Sequence, residues 1–168
     1  MVSADLAIEN MNFETYQIRK ANISDISQIR KVTKDAFALY IKSAHLDTIP
    51  ALSESEEDIR QDIETKVVLV AYIGDKIVGS LRLDLRDDKT AYLSRFGVEP
   101  DCQNLGIGKS LMNIVDNLMR EYHIRQLQLH TASQIGPLIR FYYGRGFYVD
   151  STTKDRGYIR ALLCKDYA

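Results

Sequence analysis

The sequence predicts a single α+β (mixed α/β) domain. Three observations carry this reading. Apolar residues recur at three- and four-residue steps in separated stretches, β-branched runs with period-two alternation lie between and after them, and the two kinds of stretch follow no regular βαβ repeat. The 168 residues suit one domain with a substantial core and are too few for two comfortable ones. No internal repeat or low-complexity segment divides them.

Taken in order, residues 1–14 show no sustained periodicity and read as a partly mobile N-terminal extension, leaving 15–168 as the domain. Tyr16 to Lys20 alternates enough for a first strand, and Asn22 or Ser24 can cap the helix that follows. Ile26, Ile29, Thr33, Ala36, Phe37, Tyr40 and Ile41 mark the buried stripe of that helix, which ends near Ser43. An irregular segment, 44–52, contains Pro50. Ser53 with Glu56 has the form of a capping box for a short helix whose inner face carries Ile59 and Ile63.

Val67 to Ile73 reads as a strand, Gly74-Asp75 as a turn, and Ile77 to Leu85 as a second arm with one exposed face. After a turn at Asp87-Asp88-Lys89, Thr90 to Val98 completes a three-stranded meander. Leu111, Ile114, Val115, Leu118, Met119 and Tyr122 then trace a helical stripe. Gln126 to Thr131 returns as a strand, and Pro137 suits the first turn of a last helix carrying Leu138, Phe141 and Tyr142. Gly144 and Gly146 stop it. Phe147 to Val149 and Tyr158 to Cys164 form two final strands around a polar loop, 150–156.

Composition excludes several classes of partner. Twenty-two lysines and arginines face 23 aspartates and glutamates, a net charge of -1 that gives no electrostatic reason to expect nucleic acid. No apolar run approaches the ~20 residues needed to span a bilayer, and the N-terminus lacks the pattern of a signal peptide, so no membrane partner and a cytoplasmic setting are expected. Cys102 and Cys164 fit no zinc or redox spacing, and the three histidines add no metal pattern, so no metal is expected either.

The chain is organised around the stretch from Val98 to Ser110, where a strand stops at Pro100 and a helix opens at Gly106 and Gly108. A glycine-rich helix entrance presents unpaired N–H groups at the positive end of the helix dipole and suits a phosphate. Gly108-Lys109-Ser110 matches the end of a nucleotide triphosphatase P-loop, but Gln103 stands where that loop needs a glycine. The dinucleotide signature also fails, because its third small residue would fall on Leu111.

The pattern Gln103-x-x-Gly106-x-Gly108, preceded by Val98-x-Pro100, instead resembles the acetyl-coenzyme A loop of the GCN5-related N-acetyltransferase (GNAT) family, which runs Arg or Gln, two residues, Gly, one residue, Gly or Ala. Phe141-Tyr142-x-x-x-Gly146-Phe147 resembles that family's second signature, and the likeness in element order runs from about Tyr16 to Lys165. The resemblance implies a GNAT-like acyl-coenzyme A acyltransferase fold. Its central, mostly antiparallel sheet of six to seven strands would splay between strands four and five, flanked by about four helices.

The resemblance also implies roles. The backbone N–H groups of Leu105, Gly106, Ile107, Gly108, Lys109 and Ser110 would cradle the coenzyme pyrophosphate, with Gln103 adding a donor and Lys109 a charge, unless Lys109 is simply a solvated helix residue. Backbone groups of Phe96 and Val98 would hydrogen-bond the pantetheine arm like a missing strand, and an N–H there would polarise the thioester carbonyl. Tyr142 matches the family's general acid; its alternative is a core tyrosine beside Phe141.

Two positions depart from the pattern. Ser94 replaces the glutamate that many members use as a base, and Ile135 replaces an asparagine of the second signature. Deprotonation would then fall to water, to solvent before binding, or to a group outside the motif such as His130, whose other reading is a structural strand histidine. The acceptor pocket is expected between the 44–52 segment, Tyr40 and the 150–157 loop, with Asp47 able to attract a cationic amine and Glu54, Glu56, Glu57 and Asp58 favouring a helix N-terminus.

The implied activity is acetyl transfer from acetyl-coenzyme A, without a metal, to the primary amine of a small molecule or peptide by direct attack in a ternary complex, by a monomer or homodimer. The alternatives are a coenzyme-binding or sensing module with little catalytic activity and, on Gly108-Lys109-Ser110 alone, a nucleotide triphosphatase.

Overall fold

The computed structural model describes residues 15–168; the expected extension at 1–14 lies outside them. Seven strands form one sheet in the order β1-β2-β3-β4-β5-β7-β6. They are β1 (Gln17–Lys20), β2 (Val67–Ile73), β3 (Lys76–Leu85), β4 (Thr90–Val98), β5 (Gln126–Ala132), β6 (Tyr148–Thr153) and β7 (Arg160–Asp166). Every neighbouring pair is antiparallel except β4 and β5, which run parallel. Four helices, α1 (Ile26–Ala44), α2 (Glu56–Thr65), α3 (Ile107–Glu121) and α4 (Gly136–Tyr143), flank the sheet.

The core divides as the sheet does. One cluster joins Leu81, Leu83, Leu93, Leu127, Leu129 and Leu163 to the Ile107, Leu111, Met112, Val115 and Met119 stripe of α3, with Tyr142 and Phe147 beside it. A smaller one packs Ile26, Ile29 and Val32 of α1 and Ile59 of α2 on Val68, Val70 and Ile77. The predicted α1 stripe thus has two fates. Its first half enters the core, while Ala36, Phe37 and Tyr40 line a cavity.

Three local expectations are corrected, while that of unpaired cysteines stands. The second capping box is Ser55 with Asp58 rather than Ser53 with Glu56; the Ser55 Oγ accepts from the Asp58 N–H and the Asp58 carboxylate from the Ser55 N–H. The β3 arm is buried on both faces. Its polar residues find partners there, the Ser80 hydroxyl donating to the Leu69 carbonyl and the terminal nitrogens of Arg82 pairing with acidic side chains. The last two strands start later than expected, at Tyr148 and Arg160, so residues 150–153 of the predicted polar loop belong to β6. Both cysteines are free.

Candidate functional site

Two departures from a regular sheet open the site. β4 and β5 are paired only at Thr90, Ala91 and Tyr92, opposite Gln126, Leu127 and Gln128; beyond Tyr92 the parallel partner is gone. The edge of β4 facing β5 is therefore open from Leu93 to Val98. On the other edge, β3 advances from Ser80 to Arg82 while β4 uses the three steps between Gly97 and Ser94, a bulge with Arg95 in the left-handed region at φ 54°. A bulge bends a strand and re-aims its side chains. The buried Glu54 carboxylate holds the Arg95 Nε at 3.4 Å.

The gap is a cavity of about 760 Å³. Phe96, Val98, Gln103 and Gly108 of the predicted coenzyme set line it, together with Tyr142. So do Ser94, Ile135 and His130. Tyr40, the 44–52 segment through Thr48, Ile49, Pro50 and Ala51, and the last loop through Arg156 line the same cavity. Asp47 is exposed and outside the lining. Glu54 is no exposed helix-end charge: it is buried against Arg82, with oxygen-to-nitrogen distances of 2.6 and 2.8 Å.

At the mouth, Pro100–Leu105 forms a 3-10 turn that ends at Gly106, whose φ of 81° puts it where an L side chain is disfavoured. Gly106 is also the N-cap of α3, with no side chain capping it. Among the described residues, the N–H groups of Gly106, Ile107, Gly108 and Lys109 have no hydrogen-bond partner. The Ser110 N–H is already given to the Gly106 carbonyl, which removes it from the predicted cradle. Tyr16 braces the turn, its hydroxyl 2.6 Å from the Ser110 Oγ and donating to the Gly106 carbonyl at 3.2 Å. The exposed Gln103 donates from Nε2 to the Val98 carbonyl at 3.4 Å, and the Lys109 side chain is exposed.

Deeper in, Tyr142 is buried, edge-on to both Phe141 and Phe147, and Phe141 meets Phe96. Burial and the neighbouring Tyr40 push its phenol up, so it carries its proton at neutral pH. The Tyr40 hydroxyl accepts from the Ala132 N–H at 2.9 Å. Burial also raises Tyr92, whose hydroxyl lies 2.6 Å from His130 Nδ1. Burial first, then the nearby Arg160 charge, lowers His130, leaving the imidazole neutral at pH 7. In the tautomer that carries its proton on Nε2, Nδ1 accepts from the phenol.

Sequence reasoning missed Tyr16, Tyr92, Arg95, Arg156 and Arg160. Register alone joins Arg160 to this site, since it pairs with Ala132 at the end of β5. Among the described residues no group of three or more His, Cys, Asp or Glu could hold a metal, and no helix is long and apolar enough to cross a membrane.

The residues fit an acyl-coenzyme A, because unpaired donors at a helix N-terminus, an open strand edge and an apolar cavity follow one another. Comparisons with known proteins bear on the family and the fold. The family described as "Acetyltransferase (GNAT) family" matches residues 33–147. A curated relative, spermidine N(1)-acetyltransferase of Thermoplasma acidophilum, is 23% identical over 146 residues, covering 81% of this chain and 90% of that protein. The solved PaiA N-acetyltransferase of Thermoplasma acidophilum in complex with coenzyme A superposes with a TM-score of 0.80 at 22% identity, over 91% of this chain and 99% of the other. The ribosomal-protein-S18-alanine N-acetyltransferase of Escherichia coli does so at 0.74 and 16% identity, over 90% and 94%. At these identities the solved structures establish the fold.

Proposed function

The chain belongs to the acetyltransferase (GNAT) family, and from that premise we propose that it transfers an acetyl group from acetyl-coenzyme A to a primary amine by direct attack in a ternary complex. One observation carries the reading: a single cavity extends from the glycine turn, along the open edge of β4, to a protonated tyrosine.

Acetyl-coenzyme A supplies the activated acetyl thioester. The free N–H groups of Gly106, Ile107, Gly108 and Lys109 hold its pyrophosphate, the dipole of α3 adding attraction and Lys109 a charge. Gln103 and the backbone of Val98 bind at the mouth, and the unpaired backbone of Phe96 polarises the acetyl carbonyl. The amine nitrogen bonds the acetyl carbon, the carbon–sulfur bond breaks, and the departing thiolate takes the Tyr142 proton. The proton lost by the amine passes to water or, through the Tyr92 hydroxyl, to neutral His130. Ser94 cannot take that proton at neutral pH.

Thiol release from acetyl-coenzyme A across a broad amine panel tests the proposal. Turnover is expected with at least one amine, and Tyr142→Phe is expected to lower kcat about 100-fold. Wild-type rates in Tyr142→Phe would remove its role as general acid. Tight coenzyme binding with no amine turned over would favour the coenzyme-sensing reading, which Ser94 in the cavity wall supports.

A further inference from the structure

Charge is unevenly spread around the cavity. Its lining includes Arg95, Arg156 and Arg160 and no aspartate or glutamate. Arg95 is neutralised by the buried Glu54, which with Asp62 also balances Arg82. The other two are not balanced in this way. Arg156 has no ion-pair partner among the described residues.

Arg160 is only 8% exposed. One of its nitrogens donates to both oxygens of Asp155 at 3.3 Å, and its Nε has no partner. That counter-ion is an exposed side chain on the last loop. A guanidinium withdrawn from water with an unused N–H gains from an incoming oxyanion, and its planar fork matches a carboxylate or a phosphate.

The charge does not belong to the coenzyme's phosphate seat. Arg156 and Arg160 act on Tyr92, and Arg160 and Arg156 likewise on His130. Tyr92 stands where the β4–β5 pairing ends, six residues before Val98, or about 20 Å of strand at ~3.3 Å per residue. Tyr40 and Tyr158, whose hydroxyls are neighbours, line the same cavity. The groups facing the cavity where that pairing ends are thus the two arginines, neutral His130, protonated Tyr92 and, from outside, Asp155.

Resting on the transfer reading above, we propose that the acceptor amine itself carries an anionic group, a carboxylate or a phosphate, which Arg160 and Arg156 hold while the amine points to the acetyl group. Phe37, Tyr40 and Tyr158 supply the apolar wall for its body. Polyamines are disfavoured, because two arginines without a lining carboxylate repel a polycation.

Matched acceptors test this at saturating acetyl-coenzyme A, with thiol release compared at equal concentrations of free amine. One arm sets amino acids against their amides, a second sets phosphoethanolamine against ethanolamine, and a third uses spermidine. The anionic member is expected to exceed its neutral partner in kcat/KM by about 30-fold, in the range of charge-assisted hydrogen bonds, and the arm that shows this identifies the anion. Arg160→Gln should cut that preference about tenfold through KM, with Arg160→Lys recovering part of it. Arg156→Gln, at an exposed position, should cut it several-fold without risk to folding. Equal rates for charged and neutral partners, a preference for spermidine, or an unchanged ratio in both glutamine variants would overturn the charge assignment while leaving acetyl transfer intact. Coenzyme binding with no amine of any charge turned over would instead sink the transfer reading itself.

Discussion

Replacing Gly97 by alanine probes how tightly α1 is clamped on β4. A Cβ at Gly97 would lie 2.7 Å from the Ala36 Cβ and 3.6 Å from Phe37 Cε2. Carbon atoms rest about 3.5–4.0 Å apart, so the helix must withdraw by about 1 Å. The clash is with a Cβ fixed to backbone, and no rotamer relieves it. Overpacking of this kind costs about 1–3 kcal/mol, partly offset by the ~0.4–1 kcal/mol that glycine-to-alanine contributes through the unfolded chain.

At ~2–4 °C per kcal/mol for a domain of this size, a fall in Tm of several degrees is expected. Ala36→Gly alone should cost about 1 kcal/mol of helix propensity. Because it removes the atom that Gly97→Ala strikes, the double variant should be no less stable than Ala36→Gly, giving a coupling of about 1–3 kcal/mol in a denaturant-unfolding cycle. Additive effects, or a Gly97→Ala protein as stable as wild type, would show that α1 yields freely and that the close contact does not constrain the fold.

Glu54→Gln leaves buried Arg82 with Asp62 as its one charged partner and should cost about 3 kcal/mol in chemical denaturation; a loss below ~1 kcal/mol would mean water already reaches the network. Gly106→Ala strains a residue at φ 81° by about 1–2 kcal/mol and should weaken coenzyme binding about tenfold by calorimetry. Gly74→Ala, at φ 58° in the β2–β3 hairpin turn and outside the cavity lining, should cost stability and leave that affinity unchanged. Burial alone would raise the Asp116 carboxyl, but the Tyr167 hydroxyl, Lys165 and Arg145 outweigh it and hold the group below its ordinary 3.8. Its stabilisation is therefore complete above that value and lost as pH falls through the lower folded-state pKa, so Asp116→Asn should flatten the acid limb of an unfolding-midpoint profile below about pH 4. An unchanged limb would assign acid unfolding elsewhere.

How much of this was legible depended on whether the signal was local. The turn from Pro100 to Gly108 reads directly, because a proline stop and a left-handed glycine are both written in residue type. Ser53-x-x-Glu56 and Ser55-x-x-Asp58 satisfy the same capping pattern two residues apart, and only the position of the helix chooses between them. In α1, Ile29 and Phe37 fall on one periodic stripe, yet one fills the core and the other walls a cavity, since periodicity reports apolarity and not what lies opposite. The β3 alternation predicted an open face because nothing near Ser80 or Arg82 announces partners at Leu69, Glu54 and Asp62. β6, exposed at every residue, has no alternation to read. Arg160 reaches the cavity only through its pairing with Ala132, a long-range fact with no local trace.

Three residue pairs are all the strand pairing between β4 and β5, and so between the two halves of the sheet, which otherwise meet through side chains and α3. A fold stitched across its middle by so short a seam has a natural line of parting. Whatever occupies the gap therefore acts as a fastener as well as a reactant. Ligand that binds only the closed form adds RT ln(1 + [L]/Kd), about 2.7 kcal/mol at a hundredfold excess over Kd. Amide exchange in β5 and β7 should slow with the coenzyme bound more than in β2 and β3, which lie on the unbroken side. The durability of the protein in a cell would then follow the supply of its own substrate.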